Sequence, residues 1–171
     1  VKNLTAFLDS YHRLTHLPEP EYKTVSVPAL FTKLERLLQA EPRSERVVYC
    51  DGKADKSTGK ELQVYGDANL LTLALINLIR NALQAVEGQE DGIVRVDTCA
   101  GATGHLLITI TDNGPGIPPE RLSAIFTPFF STKSGGSGIG LPISQRIMQL
   151  HGGQLSVSSI PNVRTEFRME F

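Results

Sequence analysis

The sequence predicts a two-layer α/β sandwich: a mixed, mostly antiparallel sheet with helices on one face and a mobile lid. Two patterns predict the sandwich. Helix-spaced apolar residues alternate along the chain with pairs of strand-like runs, and no internal repeat breaks the alternation. A third observation predicts the lid. Positions 113–137 are rich in Gly, Pro, Ser and Thr and form a stretch longer than a connector in a compact domain needs. With 171 residues, 40% hydrophobic and 20% charged, the chain has the size and composition of one soluble domain. Lys and Arg total 17 against 18 Asp and Glu, a net charge of -1, which argues against nucleic acid or an anionic membrane surface as the main partner. No apolar run reaches the roughly 20 residues of a membrane helix. The opening residues are amphipathic and charged, unlike a signal peptide.

The elements follow in order. Leu4, Phe7, Tyr11 and Leu14, with Leu8 beside them, form a heptad stripe on a helix that must end near Leu17, because Pro18 and Pro20 follow. That helix is too short to be stable alone. It either folds back on the domain or is the tail of a longer coiled coil. Residues 18–24 read as a linker. A short strand covers Lys23 to Val27, and Pro28 opens a helix to about Gln39 with Leu30, Phe31, Leu34, Leu37 and Leu38 as its apolar face. Arg46 to Asp51 is a strand, the polar segment after it a solvated loop or hairpin turn, and Leu62 to Tyr65 a strand. Asp67 caps a long helix through about Val86. Ile93–Ala100 and Leu106–Asp112 pair antiparallel around Gly-Ala-Thr-Gly. A short helix at about Pro119–Ile125 interrupts the lid, a helix runs from about Gly138 to His151, and strands at Gln154–Ser159 and Thr165–Phe171 close the chain.

Several local patterns carry no chemistry. Gly52 to Glu61 imitates a phosphate loop, but it has six residues between its glycines, and Glu61 stands where a magnesium-binding hydroxyl belongs. Gly136-Ser137-Gly138-Ile139-Gly140 opens a helix without the strand that a dinucleotide fold requires. His12 and His16 have zinc-helix spacing, but Arg13 replaces the glutamate of such a motif. Cys50 and Cys99 have no paired-cysteine context and read as ordinary thiols.

Four motifs remain. Asn77 and Asn81 lie four apart on an otherwise apolar helix, so they share one face. Two amides there are costly unless they bind something, and an amide oxygen is a good neutral ligand for Mg2+. They could equally cap neighbouring loops. Asp112-Asn113-Gly114-Pro115-Gly116-Ile117 ends a strand. It reads either as a plain turn or as a site where Asp112 accepts from the exocyclic amine of adenine, with Gly114 and Gly116 admitting a flat ring. Phe129 and Phe130 must pack somewhere, and Lys133 after two hydroxyls suits phosphate oxygens. Gly135 to Ile143 leads glycines into a helix whose free N–H groups make an anion site.

Together and in this order, these motifs resemble the asparagine, first glycine, phenylalanine and second glycine boxes of the gyrase, heat-shock chaperone, histidine kinase and MutL ATP-binding superfamily. The resemblance covers roughly Val25 to Phe171 and implies a Bergerat-type sandwich with ATP and Mg2+ under the lid. It implies that Asn81 holds Mg2+ and that Asp112 reads adenine, with Thr165 near it on the last strand pair. The implied ATP-binding set also includes Asn77, Arg80, Gln84, Ala85, Gly114, Gly116, Ile117, Phe130, Thr132, Lys133, Gly136, Ser137, Gly138, Ile139, Gly140 and Leu141. Asn77, Asn81 and Lys133 are its catalytic members.

Asn77 points to a branch. ATPases of the superfamily usually carry a glutamate general base four residues before the magnesium asparagine, and an amide cannot take a proton at pH 7. The Asn-x-x-x-Asn pattern is that of histidine kinases, and the Asn81–Ala85 and Phe130–Lys133 strings resemble the nitrogen-regulation type. Residues 1–17 then resemble the end of the second helix of a dimerisation and histidine-phosphotransfer bundle. The acceptor histidine is expected outside this chain, since His12 and His16 lack its context. The resemblance implies a cytoplasmic catalytic domain at residues 25–171, a homodimeric parent that can be anchored in the inner membrane, and onward transfer to a response regulator. Two departures stand out. Gln84 and Ala85 replace a basic residue and an aromatic, leaving phosphate contact to Arg80 or Lys133, and Val163-Arg164-Thr165 replaces a glycine-rich turn. The rival readings are an ATP-gated clamp of the MutL or gyrase class and a purely structural interaction domain.

Overall fold

The computed structural model describes residues 16–50, 59–100, 105–131 and 136–171. The expected N-terminal helix, the Gly-Ala-Thr-Gly tip, most of the phosphate-loop imitation, and Thr132 and Lys133 lie outside the described residues. Strand β1 (Lys23–Ser26) leads into helix α1 (Val27–Leu38). A short 3-10 turn (Ser44–Arg46) precedes β2 (Val47–Cys50). Then come β3 (Gln63–Gly66), the long helix α2 (Ala68–Ala85), and strands β4 (Val94–Ala100) and β5 (Leu106–Asp112). Helix α3 (Pro119–Leu122), helix α4 (Gly140–Leu150), β6 (Gln154–Ile160) and β7 (Arg164–Glu170) complete the order.

The main sheet has the order β2-β4-β5-β7-β6, with β2 and β4 parallel and every other pair antiparallel. The expected single sheet is in fact two, since β1 and β3 pair antiparallel in a small sheet of their own. Strands β2 and β3 belong to different sheets, so they do not pair as a hairpin. A polar stretch between two short strands looks alike in either case, and only long-range pairing separates them.

Period two decides what each strand buries. On β5, Leu106, Ile108 and Ile110 point inward, and Asp112 is the next inward position. On β7, Thr165, Phe167 and Met169 are buried, and the register sets Thr165 opposite Asp112 and Phe167 opposite Ile110. The helices cover this face. Leu71, Leu75, Leu78 and Ile79 of α2 have 0% exposure, and each contributes about 2 kcal/mol by leaving water. On α1, Val27, Leu30, Leu34 and Leu38 make the buried stripe, whereas Leu37, expected in it, sits at its edge and is half exposed. Phe31 packs at the opposite edge against Tyr49, ring centroids 6.0 Å apart. Burial there, helped by the charge of Glu35, pushes the Tyr49 phenol up to about 12.

Both ends of α2 are tied down. Arg46 donates from Nη1 to the carbonyls of Val86 at 2.9 Å and Gln89 at 2.6 Å, placing a cation at the negative end of the helix dipole. At the other end Asp67 caps the helix as expected, its Oδ1 accepting from Asn69 N at 2.8 Å and Leu70 N at 3.0 Å. Its Oδ2 takes Glu21 N at 2.8 Å, and its own N–H donates to His151 Nε2 at 2.9 Å. Tyr22 stacks on Tyr65 and donates to Leu150 O at 2.6 Å. Linker, α2 and the end of α4 thus meet at one residue, the first two at its carboxylate and the last at its backbone N–H.

Burial alone would raise the Asp67 carboxyl. The N–H groups of Leu70, Glu21 and Asn69 and the neighbouring His151 outweigh it and hold the group below the ordinary carboxylate range. A lowered folded pKa means the carboxylate's stabilisation is complete above about pH 4 and is lost as pH falls through the lower folded value. Asp67→Ala is expected to cost about 1–2 kcal/mol in urea unfolding at neutral pH, with a gap that narrows in acid. A gap that is the same at neutral and strongly acid pH would overturn this account.

Candidate nucleotide-binding cleft

The long helix turns one face to a cleft of about 520 Å³, within the roughly 300–1,000 Å³ of small-molecule sites. Asn77, Arg80, Asn81, Gln84 and Ala85 make one wall. The ends of β5 and β7 supply Asp112, Thr165 and Phe167, and the loop after β5 supplies Pro115 to Pro118. Phe130, Ser131 and the segment Gly136–Pro142 form the third side, Ile139 excepted. Four motifs, with residues as far apart as Asn77 and Gly140, therefore surround one space.

Asp112 lies at the buried end, 3% exposed. Its Oδ1 accepts from Gly114 N at 2.9 Å, the N–H two residues on, the usual way an Asp shapes the turn after it. The turn and the binding reading of this motif are thus compatible. Asn77 spans the cleft wall, its Nδ2 donating to Gly140 O at 3.3 Å across the α2–α4 seam. The Asn77 amide thus has a structural duty, and it offers no carboxylate. Among the described lining residues, Asp112 is the one acid.

The helix start beyond Gly138 is open on the cleft side. Ile139 occupies the N-cap position of α4 and supplies no side-chain cap, and Gly140, Leu141 and Pro142 line the cleft. N–H groups without a side-chain cap at the positive end of a helix dipole suit an anion. Helix α4 begins at Gly140 rather than at Gly138 as the sequence predicted, because Gly138 has φ +65, outside the helical range.

The structure places several of these residues more closely. The Ile139 side chain does not line the cleft: it is 7% exposed and joins the core, as apolar side chains commonly do. Gly114 backs the site rather than lining it, and a Cβ there would stand 2.7 Å from Asp112 Oδ1 and 3.0 Å from Ala85 Cβ. Gly116 lines the cleft, but its need for glycine comes from φ +75 and from Ile160 O, 2.8 Å from where a Cβ would sit. Protein neighbours already require glycine at both positions. Arg80 reaches the cleft with its guanidinium committed to Glu41, through Nε at 3.0 Å and a closer contact from Nη2. The short helix ends at Leu122, not Ile125, and Ile125 folds under the cleft.

Sequence reasoning missed Pro115, Pro118, Arg121, Ile125, Ser131, Pro142 and Phe167 as lining residues. Most carry no signal of their own. Phe167 could have been found from period two, since it shares a strand face with Thr165.

A sandwich with a buried carboxylate at one end of its cleft, paired amides on the wall and an open helix start at the other end is the architecture of an ATP-binding domain. The model of the family described as histidine kinase-, DNA gyrase B- and HSP90-like ATPase matches residues 66–171, and the chain belongs to that family. Over 98 residues it is 43% identical to the sensor histidine kinase ZraS of Salmonella typhimurium, covering 57% of this chain and 21% of that protein. Over 163 residues it is 34% identical to the sensory histidine kinase/phosphatase NtrB of Vibrio alginolyticus, covering 90% of this chain and 45% of that protein. The nucleotide-free catalytic domain of histidine kinase ThkA superposes with a TM-score of 0.71 at 27% identity, over 88% of this chain and 95% of that one. The domain is thus of the histidine-kinase catalytic type, and the chain spans from about a fifth to under half the length of these curated relatives. Among the described residues, no helix is long and apolar enough to cross a membrane.

Gly138 packs against the lid-side aromatics. Phe129 N donates to Gly138 O at 2.9 Å, and a Cβ on Gly138 would lie 2.6 Å from the carbonyl carbon of Phe129. Gly138→Ala is expected to cost more than about 1 kcal/mol, because it is strained in φ and in contact. A thermal melt should show the loss, and a melting temperature equal to that of the unchanged chain would contradict it.

Proposed function

We propose that this domain binds ATP with Mg2+ and supplies the γ-phosphoryl group to a histidine outside the chain, for onward transfer to a response regulator. The observation that carries this reading is the cleft's division of labour. One end holds the only carboxylate among the described lining residues, Asp112, and the other is lined by amides and an open helix start. Asp112, with Thr165 opposite in register, is suited to an exocyclic amine on adenine. The far end, without an acid, neither repels a triphosphate nor offers a base to activate water. An imidazole acceptor needs no such base, which favours the kinase reading over an ATP-gated clamp.

The residues fit a magnesium–phosphate group. Asn81 offers a neutral oxygen from the wall that Asn77 and Arg80 share, so the phosphates themselves would balance the metal's charge. Bound there, the metal supplies charge neutralisation for the transferring phosphoryl group. Asn77 keeps the α4 start at the cleft wall, and the glycines at 136, 138 and 140 bring backbone N–H groups to it. Phe130 anchors the lid whose Thr132 and Lys133 are proposed to meet the γ-phosphate and exclude water. Residues 1–17 are read as the end of a dimerisation and phosphotransfer helix, with 18–24 the linker, so the parent acts as a homodimer. A parent anchored in the inner membrane would hold this domain on the cytoplasmic side.

Calorimetric titration with a non-hydrolysable ATP analogue and Mg2+ tests the reading. Binding of the adenine but not the guanine analogue is expected, with little sustained ATP turnover. Rapid turnover would favour the clamp reading, and no binding a structural module. Asp112→Asn is expected to weaken the ATP analogue by tenfold or more, on the order of 1.4 kcal/mol, without lowering the melting temperature to match. Asn81→Ala should bind with the same affinity with and without Mg2+. A persistent Mg2+ dependence in that variant would remove Asn81 as the ligand.

A further inference from the structure

The hairpin between β6 and β7 grips the loop that follows Asp112. Ile117 N donates to Ser159 Oγ at 2.8 Å, and Asn162 N donates to Pro115 O at 2.8 Å. The Gly116 backbone lies against Ile160 O between them. Ser159 makes two further contacts: its Oγ donates to Arg164 O at 3.1 Å and stands 3.2 Å from Thr165 Oγ1.

The proton count gives these contacts a consequence. A serine hydroxyl has one hydrogen and two lone pairs. Arg164 O can only accept, so the Ser159 hydrogen goes there. Ile117 N–H takes one lone pair. The contact with Thr165 must then run from the threonine hydroxyl to Ser159, which uses the one hydrogen Thr165 owns. Thr165 is 4% exposed and lines the cleft opposite Asp112 in register. With its hydrogen turned away, it faces the cleft as an acceptor beside a carboxylate that also accepts.

We infer that Ser159 is a positioning residue for base selection: it locks Thr165 as an acceptor and pins the Asp112–Ile117 loop, so that the buried end of the cleft takes a donor and refuses an acceptor. This rests on the proposed reading of the cleft as an ATP site. An amine, as on adenine, meets two lone-pair bearers there, whereas the guanine oxygen in the same place meets no donor. Without Ser159 the Thr165 hydroxyl can turn and donate, and the refusal weakens.

The test is calorimetric titration of the full chain with non-hydrolysable ATP and GTP analogues in Mg2+, alongside a thermal melt. Ser159→Ala is expected to weaken the ATP analogue about tenfold while the GTP analogue holds or gains, so the preference for adenine shrinks. Ser159→Thr keeps the hydroxyl and should restore the preference. If Ser159→Ala does not fold, Thr165→Val carries the test, because it removes the acceptor itself and should narrow the preference in the same way. A preference unchanged in the folded variant, or both analogues weakened by the same factor, overturns the positioning role and leaves Ser159 a structural residue. Failure of the unchanged chain to bind the ATP analogue overturns the nucleotide reading first and this inference with it.

Discussion

The carboxylate of Asp67 accepts hydrogen bonds from the backbone of the linker and from the first turn of α2, while its own N–H is held by the imidazole at the end of α4. Three segments far apart in sequence converge on this residue. Its effect reaches the cleft through geometry rather than contact. Helix α2 is a rod of eighteen residues, so tying its first turn and capping its last with Arg46 sets the rotation of the whole helix. That rotation buries Leu71, Leu75 and Leu78 against the sheet and, by the same act, turns Asn77 and Asn81 to the cleft.

The cleft is therefore a by-product of core packing carried to its edge. On β5 the inward alternation of Leu106, Ile108 and Ile110 continues for one more step and delivers a carboxylate instead of a methyl-bearing side chain. On β7 the same step delivers Thr165. The apolar core ends where these polar residues begin, and burying them is tolerable only because each finds partners: Gly114 for Asp112, and Ser159 for Thr165.

Among the described lining residues the charged ones are Arg80, Arg121 and Asp112. Arg80 is held by Glu41, an exposed pair of small energetic weight, and Gln84 and Ala85 carry no charge. The wall also presents the amides of Asn77, Asn81 and Gln84 and the start of α4. Such groups are already oriented by the fold and need little reorganisation when charge shifts.

The sequence by itself determined the fold class, the order of the strands and helices, the cap at Asp67 and the membership of the cleft's main motifs. Those features are written locally, in apolar periodicity, capping chemistry and glycine-rich strings, or in motif order. Tertiary structure decided what depends on residues meeting across long distances. It separated β1 and β3 into their own sheet, because strand partners are chosen by pairing energy that no local string encodes. It turned Ile139 into the core and set Arg80 beside Glu41, since burial and ion pairing depend on what the chain brings alongside. It also gave Gly114, Gly116 and Gly138 their reasons, in atoms of Asp112, Ile160 and Phe129 that occupy the space a side chain would need. A glycine in sequence says only that a side chain is absent; the fold says what stands in its place.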